Sequence, residues 1–308
     1  MTPTRDDVLQ AAERIRGRVH RTPTFSSRTL GERTFLKAEL FQKTGSFKAR
    51  GVLNKLASLT AEERKRGVIG ISAGNHAQAL AWGAALERID CLVVMYASAS
   101  AAKVAATRAY GAHVDLEAAD AIEAFERLDD HIRTTGRTLV HPFDDPLVIA
   151  GQGTLALELL EDAPEVETIV VPAGGGGLVA GIAAAVPDRR IVAVEPTDSR
   201  AVHDGLAAGR PVNVTPVSIA DGLSAPFAGE VALEVLREQN TESVLVSEEE
   251  IENAFRFLYE RAKLACEPAA AVGVAAILAG KAGGGPMAAV VSGGNVAAET
   301  ASAILARR

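Results

Sequence analysis

The sequence is poor in sulfur, in aromatic rings and in lysine. Its 308 residues include two cysteines, and Phe, Trp and Tyr together make up 4%. Cys91 and Cys266 cannot form a zinc cluster alone, and two cysteines in a chain of this length are no disulfide framework. The core is expected to be aliphatic and rich in alanine. There are 32 basic residues against 39 acidic ones, a net charge of −7, and no Lys/Arg cluster. That balance lacks the footprint of a nucleic-acid binder. The longest apolar run, Ala269 to Gly280, falls far short of the ~18 residues that suggest a membrane span. The opening residues, Met-Thr-Pro-Thr-Arg-Asp-Asp, lack the apolar core of a signal peptide. There is no internal repeat and no low-complexity linker. A cytoplasmic chain without membrane or nucleic-acid partners is expected.

What is present is alternation. Short aliphatic or β-branched runs read as strands at Thr34–Leu40, Val68–Ser72, Cys91–Tyr96, His113–Leu116, Thr138–His141, Thr168–Pro172, Arg190–Glu195, Val244–Val246 and Met287–Ser292. Helical stretches lie between most of them. The clearest runs from Ser247 to Lys263. Ser247 and Glu250 form a capping-box pattern, and Ile251, Ala254, Phe255, Leu258 and Ala262 mark one apolar face. Alternation with near-continuous apolar strands predicts an α/β fold with buried, mostly parallel sheets. Ligands of such sheets gather at the carboxyl ends of the strands. The residues following each strand are therefore the candidate site.

After Thr168–Pro172 come Ala173 and the run Gly174-Gly175-Gly176-Gly177, opening a helix. Glycines let the backbone approach an anion, and a helix N-terminus offers free N–H donors, so phosphate is the natural guest. A tight strand–helix turn is the plainer alternative. Gly175, Gly177 and Ala180 also fit G-x-G-x-x-A, with Glu195 twenty residues after Gly175. That spacing alone supports an NAD-dependent dehydrogenase. After Val68–Ser72 stand Ala73, Gly74, Asn75 and His76, small and polar, at a helix start. They suit a carboxylate, or a helix cap. Ser292 ends an apolar strand, either as the cap of the next helix or as a partner for a ligand heteroatom. Lys48 lies near the start of a helix beginning about Ser46. A cation is poorly placed there unless something compensates, which marks Lys48 among the eight lysines.

These segments together resemble the fold-type II pyridoxal-phosphate (PLP) enzymes, in particular the threonine/serine dehydratase and serine racemase branch. The resemblance covers nearly the whole chain. Its motifs are Lys43-Thr-Gly-Ser-Phe-Lys-Ala-Arg-Gly51, Ser72-Ala-Gly-Asn-His-Ala-Gln78, His141-Pro-Phe-Asp-Asp-Pro146, Ala150-Gly-Gln-Gly-Thr154, the tetraglycine run, Ala220-Asp-Gly222, Glu267-Pro268 and Ser292-Gly-Gly-Asn295. Such order displaces the dehydrogenase reading. The resemblance implies a tryptophan-synthase-β-like fold of two open, twisted, parallel-rich sheets with helices on both faces. The larger domain would be 1–66 with 142–308, the smaller inserted one 67–141, and the working unit a homodimer.

The resemblance also implies roles. Lys48 carries the Schiff base and then moves the Cα proton. Phe47 lies against the cofactor ring, Asn75 contacts its 3′-oxygen, and Ser292 pairs with its nitrogen. Gly174, Gly175, Gly176 and Gly177, with Leu178, hold the phosphate. Ser72, Ala73, Asn75 and His76 surround the substrate carboxylate. The expected activity is dehydration of a β-hydroxy amino acid, L-threonine or L-serine, to a 2-oxo acid and ammonia. Alternatives are a serine/threonine racemase, a 3-hydroxyaspartate-type dehydratase, or a PLP-binding protein without catalysis. Similar racemases have a second Ser where Ala73 stands, and Ala cannot move a proton. The C-terminal regulatory domain of biosynthetic threonine dehydratases has no counterpart in the sequence. Tyr96-Ala-Ser-Ala-Ser100 and Ala269-Ala270-Ala271 depart from the pattern. Some relatives bind a cation at the position of Glu195, but residue 201 is Ala where Asp is wanted, and no metal is assigned. The other histidines and both cysteines read as packing or surface residues.

Overall fold

A computed structural model describes residues 1–97 and 99–307. Ser98, within the Tyr96–Ser100 departure, lies outside the described residues. Among the described residues, ten strands form two open sheets. They are β1 Thr24–Ser26, β2 Thr34–Ala38, β3 Val68–Ile71, β4 Cys91–Tyr96, β5 His113–Ala118, β6 Thr138–Leu139, β7 Thr168–Pro172, β8 Arg190–Pro196, β9 Glu242–Val246 and β10 Met287–Val291. The larger sheet has the order β1-β2-β10-β7-β8-β9, and the smaller β5-β4-β3-β6. Each of these pairings is parallel except β1 with β2.

The side-chain alternation of each strand divides it between two cores. Ile169, Val171, Ile191 and Val290 face one, together with the helices Pro146–Asp162 and Gly177–Ala185. Val170, Val192, Val194 and Val291 face the other, beneath the helices Glu248–Phe257 and Pro268–Leu278. Both faces are thus covered, and the central strands β7 and β10 are buried along their whole length. The smaller sheet is divided in the same way: Val68, Val93 and Met95 go to one side, Ile69 and Val94 to the other. The first of these cores also takes Val52, Leu56, Leu59 and Val148. All four lie outside 67–141.

Several strand ends differ from the sequence-based expectation by a residue or two, and three differences are informative. The three-residue strand β1 has no apolar run to announce it, and its place is the sheet edge. Strand β2 ends at Ala38 and gives way to a 3-10 turn at Glu39–Phe41. The helix predicted over 247–263 begins with the expected capping box at Ser247, but its last turn, Leu258–Ala262, widens into a π-helix.

The turn at Glu39 has an electrostatic reason. Glu39 is fully buried, and both its oxygens accept from Arg50, at 2.8 Å each. Arg50 also donates to Glu158 at 2.7 and 2.9 Å. Lys37, buried in β2, donates to Glu158 and to the Thr22 carbonyl, both at 2.8 Å. Two cations and two carboxylates thus neutralise each other where water cannot help. Arg50 lies two residues beyond Lys48, so this network seats the helix that carries the candidate lysine. Removing Arg50 leaves the Glu39 carboxylate buried without a cation, while Glu158 keeps Lys37, which costs about 3–5 kcal/mol. Arg50→Met is expected to lose that much in urea unfolding, whereas a loss below about 1 kcal/mol would contradict the assignment.

Candidate active site

The loops at the carboxyl ends of β3, β6, β7 and β10 converge on Lys48. This residue opens the helix Lys48–Ala57, with Phe47 as its cap. Lys48 is half-buried as a residue, but its ammonium end lies deep. Its Nζ donates to the Pro142 carbonyl at 2.7 Å and stands 5.1 Å from the Phe47 ring centre. Burial pulls its pKa from 10.5 down to about 8, against the opposing pull of the Glu267 carboxylate. A midpoint there leaves roughly a tenth of the amine neutral at pH 7, against roughly 0.03% for an ordinary lysine.

The next residue after Pro142, Phe143, packs on the glycine run. A Cβ at Gly175 would meet its ring at 2.3 Å, and one at Gly177 would meet its carbonyl oxygen at 2.6 Å. Gly176 caps the helix Gly177–Ala185 with φ 89°, in the left-handed region. Packing and backbone conformation therefore explain the missing side chains. They do not explain the donors: the N–H groups of Gly174 to Gly177 find no acceptor among the described residues. Leu178 follows them in the first helical turn.

A second such row lies at the start of the helix Asn75–Glu87. The Ser72 hydroxyl accepts from the Gly74 N–H at 3.1 Å, while the N–H groups of Ala73, Asn75 and His76 have no acceptor among the described residues. The Asn75 side chain crosses to the larger sheet. It donates to Glu267 at 2.7 Å and accepts from Asn295 at 2.8 Å. Ser292 is buried and its carbonyl accepts from the Phe47 N–H at 3.1 Å. Its hydroxyl has no partner among the described residues, and the next helix starts only at Ala298, so Ser292 is no helix cap.

His76 behaves differently from the expectation. Its backbone joins the N–H row, but its ring points to the smaller sheet, where Nε2 meets the Val140 carbonyl at 2.8 Å. Burial, with Lys48 nearby, pushes its pKa down to about 3, so the ring is neutral. Glu195, the acid of the dinucleotide pattern, accepts from the N–H groups of Val202 and His203 at 2.8 and 2.7 Å. It caps the helix Ala201–Ala208. Three residues at the site escaped sequence reasoning. Phe143, Asn295 and Glu267 all lie within family motifs, but their place in the motifs assigns them no role. Glu267 is buried, holds Asn75, and has its pKa raised by burial to about 7. An acid-proline pair opening a wholly apolar helix was the signal for it.

Residues 15–293 match the family described as pyridoxal-phosphate dependent enzyme. The chain belongs to that family. It is 43% identical over 303 residues to the L-threonine ammonia-lyase of Thermotoga maritima, covering 95% of this chain and 76% of that protein. Among solved structures, the T.th. threonine deaminase superposes with a TM-score of 0.90 at 40% identity, covering 96% of this chain and 99% of that one. Maize serine racemase superposes with a TM-score of 0.92 at 36% identity, covering 97% and 96%. This PLP-dependent chain therefore sits within the threonine/serine dehydratase group, and the dehydrogenase reading falls. The site suits the cofactor. The unpartnered N–H row after β7 offers donors for a phosphate, the Ser292 hydroxyl is free for a ring heteroatom, and the deep Lys48 amine is ready for a carbonyl carbon.

Lys48 gives a pH signature in the apoprotein. Its folded pKa lies below its unfolded one, so between pH 8 and 10.5 the unfolded chain binds more protons and stability rises with pH. Below pH 8 the cost of burying the charge is fully present. Wild-type apoprotein is expected to gain stability across that window relative to Lys48→Met, as read by urea unfolding at a series of pH values. Parallel curves would contradict the depressed pKa.

Proposed function

We propose that this enzyme is an ammonia-lyase that dehydrates L-threonine or L-serine to a 2-oxo acid and ammonia. The observation that carries this reading is a single poised base. Lys48 offers a deep, partly neutral amine, while His76 turns its ring away to Val140 and Ala73 has no exchangeable side-chain proton. Stereochemical inversion at Cα needs an acid–base group on each face, whereas elimination works from one face, the proton taken from Cα balancing the one that leaves with the hydroxyl as water.

When bound, PLP supplies a conjugated ring that draws electrons from the substrate's Cα. The chain's residues do the rest. Lys48 would hold the cofactor, and its Nζ is the group placed to take the Cα proton. Desolvation keeps that amine basic and unprotonated often enough to act. The backbone N–H groups of Ala73, Asn75 and His76, with the Ser72 hydroxyl, hold the substrate carboxylate at a helix start. The N–H groups of Gly174 to Gly177, with Leu178, hold the cofactor phosphate. Ser292 would give the ring nitrogen a neutral partner, a weaker aid to electron withdrawal than a charged one. Phe47 and Asn75 fix the ring's position.

Closure of the smaller domain, 67–141, over the larger one, 1–66 with 142–308, excludes water from the reacting carbon. The working unit is a cytoplasmic homodimer. Both cysteines are free and buried, consistent with a reducing compartment. The test is a panel of hydroxyamino acids scored for 2-oxo acid and ammonia, with chiral analysis of recovered substrate. L-threonine or L-serine is expected to turn over in the wild type and not in Lys48→Ala, and Ala73→Ser is expected to raise racemisation. Turnover retained in Lys48→Ala, or D-serine as the main wild-type product, would overturn this reading.

A further inference from the structure

The two N–H rows belong to different sheets, and outside the site the structure joins them by an ion pair. Lys103 lies on the helix Ala101–Ala109, which follows β4 of the smaller sheet. Its Nζ meets an oxygen of Asp221 at 2.5 Å. Asp221 opens the 3-10 turn Asp221–Leu223 on the side of the larger sheet.

That turn is held by hydrogen bonds and packs against the glycine run. The Ser218 hydroxyl and the Ile219 N–H donate to Glu248 at 2.6 and 2.9 Å, and the Ser199 hydroxyl donates to the Leu223 carbonyl at 3.2 Å. A Cβ at Gly174 would lie 3.0 Å from the Leu223 Cα. Gly222, next to Asp221, approaches Glu267, with 3.6 Å from its Cβ position to the carboxylate. Glu267 in turn holds Asn75.

The Lys103 end is tied to the other row. Val104 shares a core with Ala77 and Leu80 of the Asn75 helix. The ion pair therefore links the Ala101–Ala109 helix, which shares a core with the helix that starts with the carboxylate-facing row, to the turn that backs the phosphate-facing row. Glu267, between them, feels Asp221 and Lys103 with opposite sign. A second contact spans the same seam: the Phe125 ring, from the smaller side, lies 6.3 Å from Phe227, which lies 5.6 Å from Phe143. The side chains of Lys103 and Asp221 are 28% and 58% exposed. Water can therefore compete for them, and the pair can break and reform without unfolding either sheet.

We propose that Lys103 and Asp221 are positioning residues whose ion pair clasps the cleft and holds the Ser72–Asn75 loop against the glycine run. The clasp goes beyond the lyase reading, and only its kinetic readout rests on that reading. The test uses holoenzyme and follows two quantities: hydrogen exchange in the peptide covering 101–109, and kcat and KM for L-threonine. Lys103→Met and Asp221→Asn are each expected to speed that exchange about threefold to fivefold at low salt, the range of a partly exposed pair. KM should rise by a similar factor, with kcat and the cofactor absorbance little changed. The double variant should be no worse than either single one. Lys103→Arg, and the exchanged pair Lys103→Asp with Asp221→Lys, should return close to wild type, and about 1 M salt should erase the differences. Unchanged exchange in the single variants, additive effects in the double, or no recovery in the exchanged pair would each overturn the clasp. If wild type releases no ammonia from L-threonine or L-serine yet shows the exchange pattern, the lyase reading fails and the clasp stands.

Discussion

The whole site depends on one amine that gives up its proton more readily than an ordinary lysine. Lys48 would hold its proton almost completely at neutral pH if water surrounded it. Placing its ammonium end deep, against one carbonyl and an aromatic face, brings its pKa down to about 8. That placement is costly for the fold, since a cation at a helix start opposes the helix dipole. The unpartnered N–H rows next to it carry the same sign of electrostatic demand. Both rows and the amine are satisfied together by a ligand that brings a phosphate, a carboxylate and a carbonyl carbon. The site is thus an arrangement of unmet donors around one nucleophile, and a bound anionic cofactor and amino acid relieve it.

Rigid support lies immediately behind. The Lys37, Glu39, Arg50 and Glu158 network is electrically neutral within itself, so it anchors the Lys48 helix without adding net charge to the site. On the other side, Asn75, Asn295 and Glu267 form a hydrogen-bonded chain across the cleft. One flank is a buried ionic lock between elements of the larger sheet. The other is a set of lighter contacts between the two sheets, ending in a partly exposed ion pair. That difference fits a site with a fixed nucleophile and an adjustable wall.

Much of this was legible in the sequence, and the limits have physical causes. Strands β7 and β10 are buried on both faces, so their apolar runs announced them with correct or nearly correct ends. The capping box at Ser247 is local chemistry and was readable as such. Strand β1 was not, because an edge strand of three residues needs no apolar side chains. Lys37 read as a neighbour of the motif; its burial depends on Glu158, 121 residues away. Glu267 depends likewise on Asn75, 192 residues away. The His76 ring direction is set by its hydrogen bond with the Val140 carbonyl, 64 residues away. Nothing within its own segment specifies whether that ring meets a ligand or the core.

The central claim is that, of the eight lysines, Lys48 alone has the surroundings of a cofactor anchor. Borohydride reduction of the PLP-loaded protein, followed by peptide mass spectrometry, tests this directly. The expected result is one pyridoxyl group per chain, on Lys48. A label on another lysine, or no stoichiometric label, would contradict it.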